Sequence, residues 1–225
     1  MMDTPYSQQI EQIKKKLLEA KAIDKDCLVF GASAHKYELH PPATITQVEY
    51  FETKYGIRLP KCYRAFVLHV GNGGESYQNS GAGPYYGIYM LGDHLDALVD
   101  GDPKVFLKNN CQLKPNMTAK EWEELTKILE NDTISDEDYY LEFSKIHGGI
   151  LPLGSQGCTY LYGLILNGPF EGKVVNLEMS GEYVPLFTSD RNFLDWYERW
   201  LDEIISGKLI KKSPSWFGYP QKEEG

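Results

Sequence analysis

The sequence has few cysteines and none of the spacings that build a metal knuckle or a redox-active pair. Its four cysteines, Cys27, Cys62, Cys111 and Cys158, are dispersed along 225 residues. A zinc site or a thioredoxin-like motif needs closely spaced cysteines, so both are excluded. Isolated cysteines of this kind are usually small buried side chains, and the protein that contains them is usually in a reducing compartment.

Long apolar runs are also missing. The N-terminal residues contain no apolar stretch of the kind found in signal peptides, so none is expected. No run approaches the roughly 20 apolar residues that a membrane-spanning helix requires. The sequence therefore predicts a cytoplasmic protein without a membrane partner.

Basic residues are outnumbered by acidic ones, 23 to 32, which gives a formal charge of −9. Binding to nucleic acid depends on Lys and Arg that neutralise phosphates, so no nucleic-acid partner is expected. The acidic excess is concentrated in residues 118–142, which hold nine acidic residues and two lysines, a formal charge of −7. Such a segment is either a solvated helix surface or a docking face for a basic partner.

Catalytic motifs are absent: the sequence has no nucleophile elbow, Walker motif, zinc signature or metalloprotease histidine pair. The glycine-rich residues 71–87 follow a predicted helix and include no Lys or Arg, whereas a phosphate-binding loop precedes its helix. Asp93, His94 and Asp96 form a short cluster that is either part of a metal site or the start of a helix. We predict no catalytic residue, no cofactor and no metal.

What the sequence does contain is a pair of short helices followed by a glycine-rich loop. Thr46 and Glu49 match a capping box that would start the first helix. Gly56 is placed to end that helix, and Pro60 is placed to open the second. Residues 86–91 then alternate as expected for a strand.

Hydrophobic periodicity predicts the remaining elements. The predicted helical parts are an N-terminal helix within 1–24, an acidic helical hairpin inserted at about 100–149 and a helix at about 190–206. Capping patterns at Thr118/Glu121 and at Ser135/Asp138 would start the two helices of the hairpin. The predicted strands are 150–153, 158–166, 173–177 and 183–187, and the apolar residues 27–30 are either an edge strand or a buried lead-in. Short links between the later strands favour antiparallel pairing. The prediction is one α+β domain over 1–225, with a mostly antiparallel sheet packed against helices, a helical-hairpin insertion and a loose tail at 208–225.

A family resemblance rests on the two-helix unit and the loop that follows it. The residues that carry it are Phe51-Glu52, the elbow Gly56-Ile57-Arg58-Leu59-Pro60, Tyr63, Phe66, and the glycine-rich stretches 71–74 and 83–87. This unit is similar to the SUKH superfamily, which contains a fungal cell-wall-assembly regulator linked to killer-toxin resistance and many bacterial toxin-immunity proteins. The resemblance extends over about two-thirds of the chain and does not include the acidic segment.

The resemblance implies one α+β domain without enzymatic activity, whose bacterial relatives bind and neutralise a toxin, often a nuclease. We therefore expect a non-catalytic protein-binding module, an immunity protein, with a basic toxin domain as its partner and a monomer or weak homodimer as its state. Two alternatives stay open: a regulatory scaffold resembling the fungal member, and a small-molecule-binding or hydrolytic site near Asp93 and His94. The residues expected to contact the partner are three tyrosines and five carboxylates: Tyr77, Tyr85, Tyr86, Glu121, Glu124, Asp136, Glu137 and Asp138.

Overall fold

A computed structural model describes residues 5–75, 79–131, 133–211 and 217–219. These residues form eight α-helices and a four-stranded antiparallel sheet, which confirms the predicted α+β class. The helices are α1 (Ser7–Ile23), α2 (Ala32–His35), α3 (Ile45–Tyr55), α4 (Lys61–His69), α5 (Pro103–Phe106), α6 (Ala119–Thr126), α7 (Asp136–Ile146) and α8 (Phe193–Ile205). The strands are β1 (Ile150–Gly157), β2 (Tyr160–Ile165), β3 (Val174–Glu178) and β4 (Leu186–Phe187), and the 3-10 helices are Leu95–Ala97 and Lys127–Glu130.

The two-helix unit is present, but α3 starts before the predicted Thr46. Thr44 caps the helix: its hydroxyl oxygen accepts the Gln47 N–H at 3.2 Å, and the Gln47 side chain accepts the Thr44 N–H at 2.8 Å. The sequence holds two overlapping capping-box patterns, and the earlier one is used. Gly56 ends α3 with a φ of 62°, the left-handed conformation that favours glycine, and Pro60 immediately precedes α4.

The buried carboxylate of Glu52 holds the elbow between α3 and α4. One of its oxygens accepts the Leu59 N–H at 3.0 Å, and the guanidinium groups of Arg64 and Arg58 each approach an oxygen at 3.3 Å. Glu52 is 3% exposed, so these donors offset the cost of taking its charge out of water. A side chain from the first helix thus fixes the start of the second.

Of the two interpretations of residues 27–30, an edge strand or a buried lead-in, the edge strand is wrong. The carboxylate of Asp24, at the end of α1, accepts the N–H groups of Leu28 at 2.7 Å and Val29 at 3.1 Å. A strand would need those N–H groups to pair with a neighbouring chain segment. Because a side chain takes them instead, the segment bends into the short helix α2.

The strand predicted at 86–91 is also wrong. This segment makes isolated bridges to the glycine-rich loop, such as the one between Gly74 and Tyr89. Tyr89 also donates its N–H to the carbonyl oxygen of Leu153 at 2.7 Å, on the outer edge of β1. The segment therefore covers the β1 edge of the sheet without adding a strand, and this protects the edge from pairing with another chain.

The sheet has the order β1-β2-β3-β4, so each strand pairs with the next one along the chain. In the β2–β3 register Tyr160 faces Glu178, and Tyr162 faces Asn176. Opposed residues, and residues two apart on a strand, share a face, so these four side chains lie on one face of the sheet. Helix α8 covers part of that face, since the rings of Tyr162 and Trp196 lie 5.2 Å apart.

Helix α8 supplies the centre of the core. Its aromatic residues Phe193, Trp196, Tyr197 and Trp200 are each at most 2% exposed. The ring of Tyr197 lies 4.7 Å from that of Phe66 in α4, and α1 packs along α8. The C-terminal helix therefore joins the two-helix unit, the N-terminal helix and the sheet.

The predicted helices of the acidic segment are confirmed, together with their caps. Thr118 and Glu121 form the capping box of α6. Ser135 caps α7, its hydroxyl oxygen accepting the Asp138 N–H at 3.1 Å. These caps depend on residues three positions apart, which is why the sequence alone locates both helix starts.

The C-terminal segment, expected to be loose, is buried at two of its described residues. Leu209 and Phe217 are 1% and 3% exposed. The ring of Phe217 lies 6.0 Å from that of Trp196, and its carbonyl oxygen accepts the Tyr85 hydroxyl at 2.8 Å. The chain thus returns to the sheet after α8.

Candidate functional site

A groove runs along the β3–β4 side of the sheet. It consists of two adjoining cavities, of about 440 Å³ and about 690 Å³, which share Val184, Leu186 and Tyr219 as lining residues. We call the smaller one the tyrosine cavity. Its tyrosines are Tyr85, Tyr160, Tyr183 and Tyr219.

The strand register places the tyrosine cavity beyond the part of the sheet that α8 covers. Tyr162 is fully buried against Trp196, whereas Tyr160, two residues earlier on the same face, is half-buried and lines the cavity. Its cross-strand partner Glu178 lines the same cavity. One face of β2 therefore contributes one tyrosine to the core and another to the cavity.

Hydrogen-bonded amides form the inner wall of the cavity. Gln156 donates from Nε2 to Asn176 Oδ1 at 2.6 Å, and the Tyr219 hydroxyl donates to Gln156 Oε1 at 2.7 Å. Burial raises the pKa of Tyr219 to about 12, although its bond to Gln156 acts in the opposite direction. The wall is thus neutral at pH 7, and its polar atoms already have partners inside the protein.

Tyr183 and Tyr160 form the outer rim. Tyr183 is 59% exposed, and the centroids of the two rings lie 6.2 Å apart. The sequence predicts Tyr183 within a strand, but β4 comprises only Leu186 and Phe187. Pro185, directly before them, has no N–H for a ladder hydrogen bond, so the strand starts after it. Tyr183 consequently lies on a connecting loop at the mouth of the cavity.

Glu178 places a negative charge beside this rim. Its carboxylate accepts hydrogen bonds from the Ser180 N–H at 3.0 Å, the Ser180 hydroxyl and the Glu182 N–H at 3.3 Å. Burial is the largest single influence and would raise the pKa of Glu178, but hydrogen bonds from Ser180, Thr159 and Glu182 together lower it. The carboxylate is therefore ionised at neutral pH.

The acidic helix α6 borders the groove. Trp122 donates from Nε1 to the carbonyl oxygen of Gly181 at 2.8 Å, which ties α6 to the β3–β4 connection. Pro115, Asn116 and Met117, just before α6, line the larger cavity. The acidic segment and the tyrosine-lined groove are thus neighbours, although Trp122 and Gly181 are 59 residues apart in the sequence.

The predicted contact residues of α6 have local roles. Glu121 closes the capping box and pairs with Lys114 at 2.7 Å, and hydrogen bonds from Lys114 and from Thr118 lower the pKa of Glu121 to about 2. Glu124 is exposed and lies 3.9 Å from the Lys120 nitrogen. Contact of either residue with a partner stays a prediction.

The predicted contact residues of α7 are Asp136, Glu137 and Asp138, which form its first turn. Carboxylates there interact favourably with the helix dipole, and Asp138 also accepts the Ser135 hydroxyl hydrogen at 2.8 Å. All three are exposed. They stabilise α7 and are accessible from solvent, and their contact with a partner stays a prediction.

The three tyrosines predicted to contact a partner differ in their positions. Tyr77 lies outside the described residues. Tyr85 lines the tyrosine cavity, but its side chain is largely buried and its hydroxyl is bonded to a backbone carbonyl. Tyr86 packs its ring 5.2 Å from that of Phe30, in an edge-to-face contact. Only Tyr85 among the described pair belongs to the groove.

Sequence reasoning missed several residues of the cavity: Gln156, Tyr160, Glu178, Tyr183 and Tyr219. The available signal was the high tyrosine count, 16 in the chain. That count indicates half-buried rings, but it does not say which ones lie at the open end of the sheet face.

The cluster near His94 is a local structure. His94 Nε2 lies 2.6 Å from the carbonyl oxygen of Glu75, and Asp96 lies in the first turn of a 3-10 helix. The start-of-a-helix interpretation is thus confirmed for Asp96. Neither cavity of the groove is lined by this cluster. Within the described ranges, no three His, Cys, Asp or Glu side chains are grouped to hold a metal ion, and no helix has the length and apolarity to cross a membrane.

By its fold, the chain is a single-domain α+β protein with an antiparallel sheet packed against helices and a groove along one side of the sheet. The sequence then identifies the family. The model of the SMI1 / KNR4 family (SUKH-1) matches residues 42–199, more than half of the chain, and the chain belongs to this family. The resemblance is thereby confirmed, and the matched range includes the acidic segment. Searches of curated proteins and of solved structures found no match.

Proposed function

We propose that the protein is a non-catalytic binding module of the cytoplasm, an immunity protein that binds and neutralises a toxin. Membership of the SMI1 / KNR4 family (SUKH-1) supports this class of function. The observation that carries the proposal is the position of the acidic segment, residues 118–142, beside a groove lined with tyrosines. A basic toxin domain is the partner with the complementary charge.

Several carboxylates of the acidic segment are accessible to a partner. Glu123, Glu130, Asp136 and Glu137 are exposed, and none of them forms an ion pair within the described parts of the chain. Exposed charges act over a Debye length of about 8 Å at physiological salt. These carboxylates would therefore accelerate the encounter with a basic surface more than they would tighten the final complex.

The groove provides the part of the surface that retains a partner. Large aromatic side chains in desolvated positions dominate the energetics of most interfaces. Tyr183 is exposed at the rim, and Met179, on the same β3–β4 connection, is 40% exposed. Charge on α6 and α7 would thus set the rate of association, and the aromatic rim would set the lifetime of the complex.

Co-expression with the product of an adjacent toxin gene tests the proposal. The protein should protect the cells and should be captured with the toxin in a pull-down. The variant E123K/E124K/E130K should associate at least about tenfold more slowly, because it reverses three exposed charges of the acidic segment. A matched control, E19K/D26K/E49K, reverses three exposed charges outside the acidic segment and should associate as the wild type does. Equal association rates for the two variants would contradict the role of the acidic segment.

A regulatory scaffold is the second candidate, because the family that matches the chain bears the name SMI1 / KNR4 and is not restricted to immunity proteins. Gene neighbourhood separates the two. An adjacent toxin gene whose product the protein neutralises supports immunity. A chain with no such neighbour, which instead retains several other cellular proteins in a pull-down, supports the scaffold.

A further inference from the structure

The tyrosine cavity has the chemistry of a site for a cation. Its lining includes four tyrosine side chains and one carboxylate, that of Glu178, and no Lys, Arg or His among the described residues. Aromatic ring faces carry negative potential and attract cations, the more so where water is partly excluded. At about 440 Å³, the cavity is large enough for one long side chain.

The two tyrosines of the rim both keep solvent-exposed surface. The planes of Tyr160 and Tyr183 are tilted by 44° and their centroids lie 6.2 Å apart, so a planar group can lie over them but not between them. Tyr183 is mostly exposed and Tyr160 is half-buried. A bound group would therefore cover both rings at the mouth of the cavity.

The negative charge that balances a cation is already in place. Glu178 lies opposite Tyr160 in the β2–β3 register, and donors from Ser180 and Glu182 keep its carboxylate ionised and oriented. Glu182 itself is exposed next to Tyr183. Two carboxylates thus accompany the two rim tyrosines.

We propose that the tyrosine cavity binds an arginine side chain of the basic protein partner, with the guanidinium over Tyr160 and Tyr183 and beside Glu178. Arginine fits better than lysine because its guanidinium is planar, stacks on aromatic rings and is weakly hydrated. The neighbouring acidic segment would direct a basic surface to this position. This inference rests on the proposed function, since it specifies how the basic partner is held.

A short peptide tests the cavity without the toxin. The probe is the blocked tripeptide Gly-Arg-Gly, and its uncharged counterpart contains citrulline, which keeps the shape of arginine but not its charge. Titration followed by NMR of the tyrosine rings should show binding of the arginine peptide at least about fivefold tighter than that of the citrulline peptide. Equal binding of the two peptides, or no binding of either, would overturn the inference.

Variants locate the site. Y183A and Y160A should each weaken arginine-peptide binding at least about fivefold. Y50A is the matched control, because Tyr50 is 67% exposed but lies on α3, outside the cavity lining. Undiminished binding in Y183A, with its fold confirmed by circular dichroism, would place the peptide elsewhere and overturn the inference. Free arginine binding tenfold more tightly than the peptide would overturn the assignment of the occupant to a protein partner.

The two proposals can fail separately. If the wild-type protein neutralises the toxin while no arginine peptide binds, the cavity assignment falls and the immunity function stands. If the peptide binds with the expected selectivity while no toxin is neutralised, the immunity function falls and the cation chemistry of the cavity stands.

Discussion

At the residue scale, the buried polar groups separate into those that short sequence patterns reveal and those that they do not. The caps formed by Thr118 and Ser135 are visible because each partner lies three residues away. Glu52 is harder to find, since its partners Leu59 and Arg64 meet it only after the chain has turned. Burial of a charge depends on tertiary neighbours, which a single sequence does not display.

Two histidines are buried in neutral form. Burial lowers the pKa values of His35 and His147 to about 4, from an ordinary value of 6.5. His147 stacks on Phe143 at 4.2 Å between ring centroids and has no hydrogen-bond partner for Nε2 within the described structure. Protonation would place a buried charge there that the Phe143 carbonyl oxygen and the Glu178 carboxylate offset only in part, so it is linked to unfolding.

The first prediction concerns pH. The folded-state pKa of each histidine lies below its unfolded value, so the unfolded state takes up a proton first as the pH falls. The free energy of unfolding therefore has its full value above pH 6.5 and decreases as the pH falls toward 4. H147F removes one such group and should make the free energy of unfolding about 2 kcal/mol less dependent on pH between 7.5 and 5. Urea unfolding at a series of pH values measures this. The slope of the unfolding free energy against pH should not change between pH 7.5 and 9. The same slope in H147F and the wild type between pH 7.5 and 5 would contradict the prediction.

At the element scale, local patterns locate the helices and the hairpin strands, but they overpredict strands elsewhere. The β2–β3 hairpin follows from a short apolar strand, a glycine-containing turn and a second strand, all close in sequence. Residues 27–30 have the same apolar character, yet Asp24 takes the N–H groups that a strand would use. Residues 86–91 run along β1 with few ladder bonds, a result of the glycine-rich loop packing beside them.

The second prediction concerns the α3–α4 elbow. E52Q removes the buried charge opposite Arg64 and introduces an amide hydrogen-bond donor where the carboxylate only accepts. The free energy of unfolding should fall by about 2 kcal/mol, because the arginine guanidinium groups lose the negative charge that pairs with them. Its control is E49Q, an exposed position on the same helix, which should change stability by less than about 0.5 kcal/mol. Equal effects of the two variants in urea unfolding would show that Glu52 does not hold the elbow.

The third prediction concerns the attachment of α6. W122F deletes the hydrogen bond from Nε1 to the Gly181 carbonyl oxygen and part of a buried ring, at a cost of about 1–3 kcal/mol. Hydrogen exchange should accelerate in α6 and in residues 178–186, while α8 amides serve as the internal reference. Acceleration spread evenly over the whole chain, or none at 178–186, would contradict the idea that this bond ties the acidic helix to the groove.

At the scale of the whole molecule, the groove could not be predicted because its parts are distant in sequence. Tyr85 follows the glycine-rich loop, Gln156 lies in β1, Tyr183 precedes β4 and Tyr219 follows α8. The α+β class and the family resemblance rest on local signals and were predictable. The hydrogen bond from Trp122 to the Gly181 carbonyl oxygen, the buried Trp122 ring and the sheet register bring the acidic helix beside the tyrosines, and only the structure shows these contacts.

Hydrogen exchange of the protein alone and in complex with the proposed toxin partner would show directly which surface binds. We expect slower exchange on binding in residues 115–126 and 178–187, on both sides of the groove. The charge-reversed variant E123K/E124K/E130K should give the same footprint at higher protein concentration, because charge governs encounter more than the final contacts. Protection confined to α1 and α8, with no change along the groove, would show that the groove and the acidic segment are not the binding surface.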